Sequence, residues 1–129
     1  MTKIEVIRDE KGESRIIIND KDIKDIKKFE SGQLIAAGAL LCLTASFEDE
    51  LSQINPEAKY GEIKASATYK LGKYDDSRFY VDHMDIEVDA KIPDKYINEH
   101  KMVVKRHEEH GCLWTRSLKK GFKVNFNFK

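Results

Sequence analysis

A chain of 129 residues has room for one ordinary hydrophobic core and not for two. Its 40% hydrophobic residues and two prolines exclude a disordered polymer, while 36% charged residues describe a heavily solvated surface. Acidic and basic side chains balance at 23 each, so the formal net charge is zero, the basic field that drives phosphate-backbone binding is absent, and nucleic acid is not expected as a partner.

The first ten residues, MTKIEVIRDE, interleave charges with apolar side chains and contain no continuous apolar run, so no secretory signal is expected and the chain reads as cytoplasmic. Residues 3–8 and 14–19 are β-rich and flank Asp9-Glu10-Lys11-Gly12, which predicts a hairpin filling an N-terminal segment, 1–19. Alternation puts Arg8 on the face of Ile4 and Val6. Either the guanidinium is carried inward, or the strand ends there and it turns back to solvent. Residues 20–30 are charged, carry Ile23, Ile26 and Phe29, and read as a connector or a frayed helical turn, and residues 31–129 form the core of a single domain.

Ser31 is the expected N-cap of a helix from about Gly32 to Gln53, stopped by Asn55-Pro56. From Leu34 to Phe47 that helix is apolar on every side, yet shorter than the roughly 20 residues that cross a bilayer, so a membrane is not expected. Such a helix should be enclosed by other elements or by a partner subunit. Two strands follow, with Ile63, Ala65, Ala67, Tyr69 and Leu71 on one face of the first and Met84, Ile86, Val88, Ala90 and Ile92 on one face of the second. Pro93-Asp94 opens a second helix that ends at Gly111, and a helical turn from Leu113 to Lys119 leads into a closing strand. In that strand Phe122, Val124, Phe126 and Phe128 alternate with polar residues. The fold class is α+β.

The two cysteines carry the chemistry. Cys42 lies deep in the apolar helix, where a thiol is ordinarily a small hydrophobe. The residues three and four positions away are Gly38, Ala39, Ala45 and Ser46, small enough to leave a substrate slot beside the sulfur or simply to pack closely. Cys112 follows Gly111 and precedes a helical turn, where backbone N–H groups favour a thiolate; on this ground alone it is the more reactive of the two. His107, His110 and Cys112 form an H-x-x-H-x-C run that would need an outside ligand to hold zinc; neither a metal nor another cofactor is expected. Phosphate-loop, dinucleotide-binding, HExxH and GxSxG patterns are missing from the sequence.

The segment Gln33-Leu-Ile-Ala-Ala-Gly-Ala-Leu-Leu-Cys42, with Cys112-Leu-Trp-Thr-Arg116-Ser-Leu-Lys-Lys-Gly121 and a closing alternating strand, resembles the OsmC/Ohr family of osmotically inducible and organic hydroperoxide resistance proteins. The resemblance covers nearly the whole chain. It implies an intertwined homodimer with antiparallel sheets around long central helices, and a thiol peroxidase that reduces organic hydroperoxides. It further implies that Cys42 attacks the peroxide, that Cys112 resolves the sulfenic acid as a disulfide, and that a dithiol reductant restores both. This order reverses the ranking drawn from the helix terminus. The family pattern Asn-Pro-Glu-x-Leu stands here as Glu30-Ser31-Gly32-Gln33-Leu34, and the arginine which that glutamate would orient over the thiolate corresponds to Arg8. Two other readings stand beside the peroxidase: a redox sensor or binder of small hydrophobic molecules on the same fold, and an inert structural dimer.

Overall fold

The computed structural model describes residues 3–129; Met1 and Thr2, the first positions of the expected N-terminal segment, lie outside the described residues. The chain runs β1 (Lys3–Arg8), β2 (Ser14–Ile18), β3 (Lys21–Asp22), a 3-10 turn at Ile26–Lys28, then α1 (Ser31–Ile54). It continues through β4 (Ile63–Lys73), β5 (Phe79–Ala90), a second 3-10 turn at Asp94–Tyr96, α2 (Ile97–His110) and α3 (Leu113–Lys120). All strands join one antiparallel sheet in the order β3-β2-β1-β4-β5. The class is α+β, as the alternation and helix signals imply.

The β1–β2 turn closes because Asp9 Oδ1 accepts from the backbone N–H groups of Lys11 and Glu13 at 2.9 and 3.0 Å, with Gly12 at a φ of +81°. Register then sorts the side chains. Ile4 stands between Ile18 and Ala67, and Val6 between Ile16 and Ala65. These residues share one sheet face, which receives Ala36, Ala37 and Leu40 of α1. Alanines on both sides let the helix backbone lie close to the sheet. Further along α1, Phe47 and Leu51 form a second cluster with Tyr60, Ile63 and Val103 of α2. Full burial of each large aliphatic side chain contributes about 1.5–3 kcal/mol, so these two clusters supply most of what fixes α1 in place.

α1 starts one residue earlier than expected. Its N-cap is Glu30, in extended conformation, whose backbone N–H donates to Gln33 Oε1 at 2.9 Å; Ser31 is already helical. The helix is also less enclosed than its composition implies. Leu34, Ile35 and Leu41 remain exposed. No helix among the described residues is long and apolar enough to cross a membrane.

The closing strand is not formed. Residues 121–129 are without helix or strand, and Phe122, Val124, Phe126 and Phe128 are 59–90% exposed; the Phe126 and Phe128 rings stack at 5.8 Å. Alternation states how a segment behaves once it has an edge to pair with. Here the segment pairs with no edge of its own chain.

Candidate active site

Cys42 projects from the middle of α1, and the corner between α2 and α3 brings Cys112 to it. Gly111 makes that corner with a φ of +64°, its N–H donating to His107 O at 2.9 Å; a Cβ there would stand 2.9 Å from Thr115. The next residue, Cys112, is the extended N-cap of α3. Both thiols are free, and they face each other closely enough that each is among the groups setting the other's pKa.

The two sulfurs sit in unlike surroundings. Burial pushes the Cys42 thiol up, and hydrogen bonding to Cys112 and that sulfur's charge push the same way, only partly offset by the backbone of Trp114 and Leu113. Burial would also raise Cys112, but its donors prevail. The Thr115 hydroxyl and backbone, the Cys42 thiol and the Trp114 backbone hold it below the ordinary thiol range. Thr115 Oγ1 lies 3.2 Å from Cys112 Sγ and also accepts from the Cys112 N–H at 3.3 Å. Of the two, Cys112 is therefore the thiol that gives up its proton more readily, and Cys42 the one that holds it. This is the ranking that the helix terminus gave, not the one implied by the resemblance. Exposure runs the other way, because Cys112 is buried while Cys42 is partly open.

Arg8 is carried inward, resolving the alternatives its strand position left. Its Nε donates to Glu48 Oε2 at 2.6 Å, so the guanidinium rests on Glu48 and not over Cys42. Among the described residues no cation is among the groups that shift either sulfur. The cause is readable in α1: Glu48 lies four residues after buried Thr44 and three before buried Leu51, on the stripe that faces the sheet. At Gly32 the space a side chain would take is filled by Tyr69, whose ring would meet a Cβ at 2.8 Å. Burial and the nearby charge of Glu30 push the Tyr69 phenol up.

The four small residues expected to form one slot are separated. Ala39 is buried, Ala45 is half-buried, and Gly38 opens onto a shallow apolar cleft with Leu34 and Leu41. Ser46 instead bonds to His107. A larger cleft of about 440 Å³ opens beside the thiol corner, lined by Leu43, Phe47, Ile86, Val88, His107 and Thr115. The H-x-x-H-x-C run does not converge: His107 points at Ser46, while exposed His110 pairs with Glu109. Among the described residues no three His, Cys, Asp or Glu side chains gather as metal ligands.

Sequence reasoning missed two buried polar contacts. His107 Nε2 lies 3.0 Å from Ser46 Oγ, while its Nδ1 lies 2.9 Å from Val103 O and 3.6 Å from Glu50 Oε2. The Tyr60 hydroxyl lies 2.7 Å from His100 Nδ1; burial lowers the pKa of this imidazole, while burial and Glu50 raise that of the phenol, so both favour their neutral forms. The signal available was spacing, since Cys42, Ser46 and Glu50 recur every fourth residue along α1.

No family model and no curated protein matches the chain. A solved structure does: the crystal structure of an OsmC-like hydroperoxide resistance protein from Jannaschia sp. CCS1 superposes with a TM-score of 0.63 at 10% identity, covering 99% of this chain and 91% of that one. At that identity the likeness establishes the fold.

Proposed function

We propose that this OsmC-like chain is a thiol-dependent peroxidase that reduces organic hydroperoxides through a Cys42–Cys112 disulfide. The observation that carries this reading is the facing pair of free thiols, drawn from remote parts of the sequence and with pKa values pushed in opposite directions. Cys42, the more open sulfur, attacks the terminal peroxide oxygen as its proton passes to the Cys112 thiolate. An S–O bond forms, the O–O bond breaks, and the organic group leaves as an alkoxide, which takes up a further proton to become its alcohol. Cys112 then displaces hydroxide from the Cys42 sulfenic acid, its proton completing a water, and the disulfide is reduced by an external dithiol. The name of the structural neighbour supports the substrate class, and the apolar cleft beside the corner gives room for an organic group.

The second half of the reading is a homodimer. Leu34, Ile35 and Leu41 of α1 are uncovered, and the tail has the alternation of a strand without forming one, while β5 is a sheet edge. A second copy satisfies both by pairing the tail with its sheet.

The position of Arg8 favours one rival. A thiol with no cation beside it suits a slow redox sensor better than a fast enzyme. Thiol titration before and after one equivalent of cumene hydroperoxide, followed by turnover with a dithiol, separates the cases. Loss of two thiols with sustained turnover is the peroxidase; loss without turnover is the sensor; no loss sinks both. Cys42→Ser should abolish peroxide consumption, and Cys112→Ser should leave one slow stoichiometric reaction.

A further inference from the structure

Reduction of an alkyl hydroperoxide leaves an alkoxide, a strongly basic group that must collect a proton as the O–O bond breaks. In the dithiol pair the only mobile proton is already assigned, since it moves from Cys42 to Cys112. Another group must supply the leaving group.

Ser46 is one helical turn beyond Cys42 on the same face of α1. Its hydroxyl is 3.0 Å from Nε2 of His107, whose side chain is 7% exposed. Every position around this imidazole suits a proton that comes and goes at Nε2. Nδ1 faces only acceptors, the Val103 carbonyl at 2.9 Å and the Glu50 carboxylate at 3.6 Å, so Nδ1 keeps its hydrogen in either state. Nε2 faces a hydroxyl, which accepts from the imidazolium and donates to the neutral ring without moving. Phe47 fixes the ring plane from 4.3 Å. Glu50 Oε2 is buried and has no hydrogen-bond partner, which is a cost for a purely structural carboxylate and a use for one that balances an imidazolium. The same imidazole lines the 440 Å³ cleft together with Thr115, the residue that holds Cys112.

Building on the peroxidase reading, we propose that Ser46 is the proton donor to the alkoxide leaving group, recharged by His107, with Glu50 as the positioning carboxylate. The Cys42 sulfur takes the terminal hydroxyl of the hydroperoxide, and the O–O electrons leave on the alkoxide. The alkoxide takes the Ser46 hydrogen, and Ser46 takes the one on His107 Nε2. The peroxide is reduced to its alcohol, the sulfur is oxidised to sulfenic acid, and neutral His107 accepts a hydrogen bond from Ser46 until solvent restores its proton.

The test compares two peroxides that differ in leaving group. Cumene hydroperoxide expels an alkoxide and needs a donor, whereas peracetic acid expels acetate, which needs none. Single turnovers followed through Trp114, the only tryptophan of the chain, read the chemical step. Ser46→Ala and His107→Gln are each expected to slow cumene hydroperoxide on the order of a hundredfold and leave peracetic acid unchanged, with Ser46→Thr restoring the alkyl rate. Equal slowing of both peroxides would mark a packing role and overturn the relay, as would no slowing of either. Ser46→Ala removes only one hydroxyl, so the test stands if His107→Gln does not fold. If the wild-type protein consumes neither peroxide, the peroxidase reading falls and takes the relay with it; if it consumes both and only the selectivity fails, the relay alone falls.

Discussion

Thr115 holds the Cys112 sulfur with its hydroxyl and its backbone N–H, and both favour the charged form. Removing the hydroxyl should raise the Cys112 pKa, because a thiolate loses a donor that the neutral thiol scarcely needs. Thr115→Val is therefore expected to move the alkylation profile of the pair to higher pH and to slow alkylation severalfold at pH 7, as read by iodoacetamide kinetics. Arg8 provides the contrast. Its guanidinium is committed to Glu48, so Arg8→Ala should leave that profile in place and cost on the order of 1 kcal/mol of stability through the lost, partly exposed pair, measured by urea unfolding. A shifted profile would return Arg8 to the thiol site. The sequence could put Arg8 on the face of Ile4 and Val6, because that follows from alternation, but it left open whether the guanidinium goes inward or turns back to solvent at the strand's end. It could not name Glu48 as the partner, because a partner depends on how the helix lies across the sheet.

At the scale of elements, the hydrophobic pattern carried far. Period-two alternation identified β4 and β5, proline marked the end of α1, and Gly111 marked the end of α2, each because the signal is local to the backbone. What stayed hidden depends on packing between elements: the Tyr69 ring filling the space beside Gly32, and the histidines of α2 meeting α1. His100 makes such a contact measurable. Its folded-state pKa is depressed by burial while its unfolded value stays near ~6.5, so the unfolded chain binds more protons across that interval. Stability is fully present above ~6.5 and is lost as pH falls through the lower folded value. The melting temperature should drop between pH 7 and pH 5, and the drop should be smaller in His100→Gln. An equal drop in the variant would remove His100 as the cause.

For the whole molecule, the decisive quantity is what covers the outer face of α1 and the tail. Four large apolar residues of the tail and three of α1 stand in water, apolar area of the kind a second copy would bury. The unfolding midpoint should therefore rise with protein concentration, and sedimentation should give twice the 14.9 kDa chain mass at micromolar concentration. Phe126→Asp with Phe128→Asp should halve that mass. The alternation of the tail was legible in the sequence, but which edge, if any, it pairs with is not written in that alternation.

The placement of Cys112 as the N-cap of α3 would make the proposed redox couple a mechanical one. A sulfur that enters a disulfide gives up its charge, so the N–H groups gathered at the start of α3 lose their acceptor and the first turn loosens. α3 leads directly into the tail. Oxidation should therefore speed amide exchange at residues 113–116 and, through them, weaken the hold of the tail on its neighbour. Since the coupling is reciprocal, tightening the assembly should lower the tendency of the thiols to oxidise. A crowded, fully paired population would then be the more reluctant reductant, and dilution would sharpen its response to peroxide.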